Sequence, residues 1–177
     1  MAESFVNAQS RAVGVVTTNS AGAIGVTTNI ITGISTVGIS SGYIVDNTNY
    51  ILGTRVTRVD VSKVYVDRDS TNTSAASDQS VSFLGLTSSY TAASKSILIG
   101  GTFANNTDSA VNLTVEVHDS STNTITAVAQ KIPVPTGSSF VITDAGKTLL
   151  ETSDSIRVYC DTANGIDATL SILKGVS

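Results

Sequence analysis

The sequence predicts an all-β protein made of two small antiparallel β units, the C-terminal one a β-sandwich or barrel. Three observations carry that prediction. Apolar residues recur at every second position, as in Val111, Leu113, Val115 and Val117, which is the period of a half-buried strand. Breaks rich in Gly, Asn, Asp, Ser and Thr separate such runs from about Ile30 to Lys174. The apolar residues are mainly Val, Ile, Leu and Ala, with five Tyr, four Phe and no Trp, which suits facing sheets ~10 Å apart. A length of 177 residues holds one large or two small domains with a real core.

Residues 1–12 mix Glu, Asn, Gln, Ser and Arg without period, so an N-terminal arm is expected, ordered only by a neighbour. A near-repeat follows: Gly14-Val15-Val16-Thr17-Thr18-Asn19, then Gly25-Val26-Thr27-Thr28-Asn29, with Ala-Gly-Ala between. It is too short for a stacked array and reads as two strands joined by a Gly-containing turn. Within a β module spanning 13–86, Tyr43 to Val45 leads into the polar turn Asp46-Asn47-Thr48-Asn49. Alternation resumes through Val56, Val59 and Val61, then slips at Ser62-Lys63, as a tight hairpin or bulge requires. The run Ser70 to Ser80 reads as a long exposed loop, with strand residues again at Val81, Phe83 and Leu84.

Residues 87–96 shift to Ser, Thr and Ala and read as a linker, with a short helix or strand as the alternative. The β-sandwich domain is expected over 97–177, with strands at Ile97–Phe103, Val111–His118, Thr124–Ile132, Ser139–Thr143, Ser155–Asp161 and Ala168–Leu173. Turns fall at Asn105 to Asp108, Ser120 to Asn123, Pro133 to Gly137, Asp144-Ala145-Gly146 and Asn164-Gly165. Asn-Gly is the strongest of these as a hairpin signal, because both residues tolerate positive φ.

Charge and motifs argue against most chemistry. The net charge is −4, and Lys and Arg never cluster, so no footprint for a phosphate backbone is expected. The opening residues lack a secretory pattern, and no stretch approaches the ~20 apolar residues of a membrane span. Neither nucleic acid nor a membrane is therefore expected as a partner. The single Cys, Cys160, has no partner for an internal disulfide, which fits a reducing compartment.

His118 beside Asp119 can orient a general base, but no Ser or Cys elbow accompanies the pair, so a surface role is expected. Cys160 reads as a small core residue. Asp67-x-Asp69 and the loop Asp161 to Asp167 offer oxygens of the kind Ca²⁺ takes, without the spacing of a calcium loop; turn chemistry explains them more simply. Nothing suggests that Glu116 and Glu151 converge. The triplets starting at Asn72, Asn105 and Asn112 match the glycosylation pattern, which in so Ser/Thr-rich a chain is composition. No catalytic, cofactor-binding or metal-binding residue is assigned, no cofactor is implied, and an enzyme is not expected.

Two stretches resemble a known class. Ile39-Ser40-Ser41-Gly42-Tyr43-Ile44-Val45, Ile51-Leu52-Gly53-Thr54-Arg55-Val56-Thr57, Val64-Tyr65-Val66 and Ser70-Thr71-Asn72-Thr73 are similar to a small β module of tailed-bacteriophage structural proteins. Leu98-Ile99-Gly100-Gly101-Thr102-Phe103-Ala104-Asn105, Ile132 to Ser139, Ser153 to Val158 and Asp167 to Leu173 resemble small phage virion β-sandwich proteins, including those of phages infecting cyanobacteria. Where that pattern carries Gly before the Asp, this chain has Ser153. The resemblance implies a neck, tail or head-surface component assembled in the bacterial cytoplasm, with copies of itself and other virion proteins as partners. The expected mechanism is homo-oligomeric docking through strand edges and the N-terminal arm. The alternatives are a head decoration or fibre-base protein touching the host surface and, from another class, a carbohydrate-binding module.

Overall fold

The structure, a computed structural model, describes residues 3–143 and 148–176. Among them fifteen strands follow in chain order: β1 (Ser4–Val13), β2 (Val15–Ile24), β3 (Ile30–Thr32), β4 (Ile44–Asp46), β5 (Val56–Asp60), β6 (Lys63–Val66), β7 (Ala76–Gly85), β8 (Thr87–Thr91), β9 (Ser96–Asn105), β10 (Val111–Asp119), β11 (Thr124–Val134), β12 (Ser139–Ile142), β13 (Thr148–Leu150), β14 (Ser155–Cys160) and β15 (Ile166–Lys174). Every ladder between them is antiparallel. The protein is all-β. Val15–Leu86 form one compact unit, and the residues before and after it form the other.

In the inserted unit six strands run in the order β4-β7-β2-β3-β6-β5. The outermost two then meet. Ile44 bridges Arg55, the Val45 N–H donates to the Thr54 carbonyl at 2.8 Å, and the Val56 N–H donates to Tyr43 at 2.9 Å. The sheet thereby closes on itself as a barrel, which satisfies edge groups that would otherwise face water. Alternation supplies the interior: Ile24, Ile31, Val45, Val64, Val66, Val81 and Phe83 are all buried together. Tyr50 caps one end, its hydroxyl donating to the Thr28 carbonyl at 3.3 Å.

Two expectations for this unit are corrected. The near-repeat is not a pair of strands. β2 runs through Ala21-Gly22-Ala23 to Ile24, and Gly25 to Asn29 forms the following turn, with Thr27 at φ 46°. Ser70 holds that turn, donating its hydroxyl to the Gly25 carbonyl (2.9 Å) and accepting the Thr28 N–H (3.1 Å). Nor is Ser70 to Ser80 all loop, because β7 begins at Ala76 and pairs with β2 from Ile24 onward. A polar strand on the outside of a barrel has the composition of a loop, so composition alone cannot separate them. The slip at Ser62-Lys63 is a two-residue hairpin between β5 and β6, with Ser62 at φ 56°.

The other unit is a sandwich of a five-stranded sheet, β1-β15-β9-β12 with β13 also on β9, and a four-stranded sheet, β11-β10-β14-β8. Leu98, Phe103, Leu170 and Ile172 of the first pack with Leu113, Val115, Ile156 and Val158 of the second in one buried core. Burying such side chains at ~25 cal/mol per Å² is the main stabilising term available to so uncharged a chain.

Residues 4–12 of the expected arm are not free. Ser4 to Val13 pair with β15 from Lys174 back to Ile166, Ala8 packs on the core and Val13 is fully buried. The 87–96 linker contains a strand, since β8 pairs with β14, Tyr90 and Ala92 are buried, and the Tyr90 and Ser96 hydroxyls share a hydrogen bond of 3.2 Å. The short β13 was not expected and buries Leu150 completely. Pro133 lies inside β11 and not in a turn; on an outer strand no neighbour needs its missing N–H. Asn164-Gly165 forms no hairpin: β14 and β15 belong to different sheets, so the turn crosses the sandwich. The expected turn Asp144-Ala145-Gly146 lies outside the described residues.

Gly14 and Ser153 show where backbone geometry limits substitution. Gly14 has φ 132°, its carbonyl accepts the Asn164 N–H at 3.0 Å, and a Cβ there would overlap the Thr162 carbonyl oxygen. Gly137 also has positive φ (65°) but faces open space. Gly14→Ala is expected to lower the unfolding free energy by roughly 2–4 kcal/mol in chemical denaturation, and Gly137→Ala by only about 1 kcal/mol. Ser153 sits at φ 76°, a conformation that favours glycine. Ser153→Gly should be neutral or stabilising by up to about 1 kcal/mol by the same measurement.

Candidate functional site

His118 and Asp119 end β10, where successive side chains point to opposite faces, so they do not form a dyad. His118 Nε2 lies 3.1 Å from the Asn123 Oδ1. Asp119 instead holds its own turn, Oδ1 accepting the Ser121 N–H and hydroxyl at 2.8 Å each and the Thr122 N–H at 3.2 Å. The Ser121 hydroxyl bond first, then the Thr122 amide, stabilise the carboxylate and lower it from 3.8 to about 2.

The other acidic candidates are used in the same way. Asp67 Oδ1 accepts the Arg55 N–H at 2.7 Å, which steadies the closing seam of the barrel. Tyr50 is pushed up to about 12 by burial and, secondarily, by the Asp69 charge. Asp161 takes the Asn112 N–H (2.8 Å) and side-chain amide (2.6 Å), and Asp167 takes the Ala12 N–H (2.8 Å). These loops therefore staple strands together. Among the described residues no group of three or more His, Cys, Asp or Glu is placed to hold a metal.

Glu116 is buried on β10 in register with Arg157, whereas exposed Glu151 pairs with Lys95 at 3.3 Å, and the two glutamates do not come together. Cys160 is fully buried in the sandwich core, where burial raises its thiol and the Thr162 N–H donates to Sγ at 3.4 Å. The amides of Asn72, Asn105 and Asn112 are each engaged in hydrogen bonds within the chain. Of the tyrosines, Tyr50, Tyr90 and Tyr159 are buried, and Tyr65 lies under Arg58 at 3.8 Å, so no open aromatic platform forms from them.

Asp154 is the one functional-looking carboxylate that sequence reading passed over. It is only 6% exposed, and its oxygens accept the Ser120 N–H (2.9 Å), the Ser120 hydroxyl (3.2 Å) and the Glu151 N–H (2.9 Å). It ties the β10–β11 turn to the β13–β14 turn. Its signal in the sequence was only its place after Ser153.

Two recesses carry no acid–base pair. One beside β12 is lined by Leu98, Ile99, Val128, Phe140, Ile142 and neighbours, none of them titratable. The other, on the barrel, has Lys63 as its one charged wall. What the sandwich does leave available is strand margin. Among the described residues β1, β11, β8, β12 and β13 each have one paired side only, and Phe5 on β1 is 78% exposed. No protein-family model matches the chain, and neither a curated protein nor a solved structure matches it.

Asp154→Ala should destabilise the sandwich by about 2 kcal/mol, because it removes the carboxylate that two partly buried amides now share; His118→Ala should stay within about 0.5 kcal/mol. Denaturant midpoints at constant slope distinguish the two. The depressed Asp119 carboxyl gives a pH signature of defined sign. Its stabilisation is complete above the unfolded value near 4 and is lost as pH falls through about 2. A carbon-detected NMR titration of Asp119 should therefore show no inflection between pH 6 and pH 4.

Proposed function

We propose that this chain is a non-enzymatic structural component of a tailed-phage virion, present in many copies at the neck, tail or head surface. The observation that carries this reading is how the polar side chains are spent. Asp67, Asp119, Asp154, Asp161 and Asp167 each accept backbone amides of turns and neighbouring strands. Meanwhile the sandwich presents unpaired strand margins. The motif resemblance in both units points the same way.

The mechanism is mechanical. A barrel without edges acts as a rigid insert, and a sandwich with open edges offers N–H and C=O rows to neighbouring chains. The N-terminal residues take part as strand β1 and not as a loose arm. Such contacts need fixed geometry and many weak interactions, which a Ser/Thr-rich, weakly charged surface supplies without electrostatic conflict.

Purified phage particles offer the test. The chain should be found by mass spectrometry in stoichiometric excess over single-copy proteins, and antibody-labelled electron microscopy should place it at a symmetric position. Absence from washed particles, or retention of the isolated chain by a glycan array, would count against the proposal.

A further inference from the structure

The edges of the sandwich are not equally protected. β8, β12 and β13 are only five, four and three residues long. β11 is longer but carries Pro133, puts Lys131 at φ 48°, and breaks register twice against β10. Short strands, Pro, Lys and bulges are the devices that prevent edge-to-edge pairing. β1 has none of them over most of its length. Ser4 to Ser10 pair with β15 in seven unbroken steps, and the irregularity comes only between Ser10 and Val13. The segment Ser4-Phe5-Val6-Asn7-Ala8-Gln9-Ser10 holds no charge, Gly or Pro, and every residue in it is half-buried or exposed.

We infer that β1 is a homotypic docking strand: two copies of the chain pair their β1 edges antiparallel about a two-fold axis at Asn7. The inference rests on the assembly reading above and names its contact. With Asn7 opposite Asn7 of the second copy, Ser4 faces Ser10, Phe5 faces Gln9 and Val6 faces Ala8. No like charges meet, although the chain as a whole carries −4. The inward positions Val6 and Ala8 stay on the core side, and Phe5, Asn7 and Gln9 stay on the outer side.

The outer face explains why a copy of the same sheet fits. Register places Phe5 beside Leu173, Leu173 beside Ile97 and Ile97 beside Leu149, an apolar row across four strands, with Leu149 48% exposed. The next outward rows contain Asn7 with Ser171, then Gln9, Thr169, Thr102 and Val141, all uncharged. Across the proposed axis the Phe5 row of one copy runs on into the Gln9 row of the other, so Phe5 gains cover from Gln9 and Thr169. Strand pairing of this length falls at the small end of interfaces, against ~800 Å² per partner for a standard one. A reversible dimer is therefore expected in solution, reinforced where a particle supplies further contacts.

The test uses the full chain. In a sedimentation-velocity concentration series the mass should rise toward twice that of the monomer. Asn7→Lys puts two ammonium groups at the axis and should weaken self-association at least tenfold with an unchanged denaturation midpoint. Asn7 is exposed, and its side-chain oxygen accepts a bond of 3.4 Å from the Ser171 hydroxyl. Asn7→Cys should give a disulfide dimer under mild oxidation, since residues directly opposed in antiparallel strands lie within disulfide reach. Cys160 is buried and gives no background. Ala127→Cys, on the guarded β11, should give no disulfide-linked dimer under the same oxidation.

A wild-type chain that stays monomeric while Asn7→Cys fails to cross-link overturns the inference. So does a dimer indifferent to Asn7→Lys, or cross-linking of Asn7→Cys only to a different protein. In each case, finding the chain on particles would keep the assembly reading alive, whereas its absence there would remove that reading separately.

Discussion

The constraint on which this fold depends is that each strand's N–H and C=O groups must find partners, and the two units meet it differently. The barrel closes its ladder at the Ile44–Arg55 bridge, with Val45 and Val56 amides bonding across the seam. The sandwich leaves its outer strands unpaired on one side and deals with stray amides one by one. Asp154 takes those of Ser120 and Glu151, Asp161 takes that of Asn112, and Asp167 takes that of Ala12. Hydrogen bonds to carboxylate oxygens are stronger than those to neutral acceptors.

That use of carboxylates bears directly on function. The Asp119 carboxylate, which accepts the Ser121 and Thr122 amides and the Ser121 hydroxyl, is fixed in its turn and lowered by those bonds. Five of the chain's fourteen acidic residues hold turns and strands in this way. Polar residues that look like chemistry in one dimension thus become architecture in three.

Packing follows the same economy. The barrel interior is filled mainly by Val and Ile and the sandwich interior by Val, Ile and Leu, with a fully buried Phe in each, Phe83 in the barrel and Phe103 in the sandwich. Phe140 packs beside Phe103 with ring centroids 6.3 Å apart. Thin cores of this kind allow short strands and tight turns, and they leave the outer faces to Ser, Thr and Asn. The resulting surface is weakly charged.

The strands of the C-terminal unit were legible in the sequence because alternation is local: Val111, Leu113 and Val115 point inward whatever lies opposite them. The core position of Cys160 could also be read there. Which strand lies beside which could not. Residues 4–13 look like a polar arm until β15 supplies a partner edge, and the bond from the Ala12 N–H to Asp167 spans 155 positions. Ser77 to Ser80 look like loop until β2 lies alongside, and Asn164-Gly165 looks like a hairpin although its flanking strands join different sheets. Composition records whether a side chain meets water, and spacing records which face it takes. Backbone pairing is made by groups common to every residue, so its partners are chosen only when distant segments are brought together by a shared core.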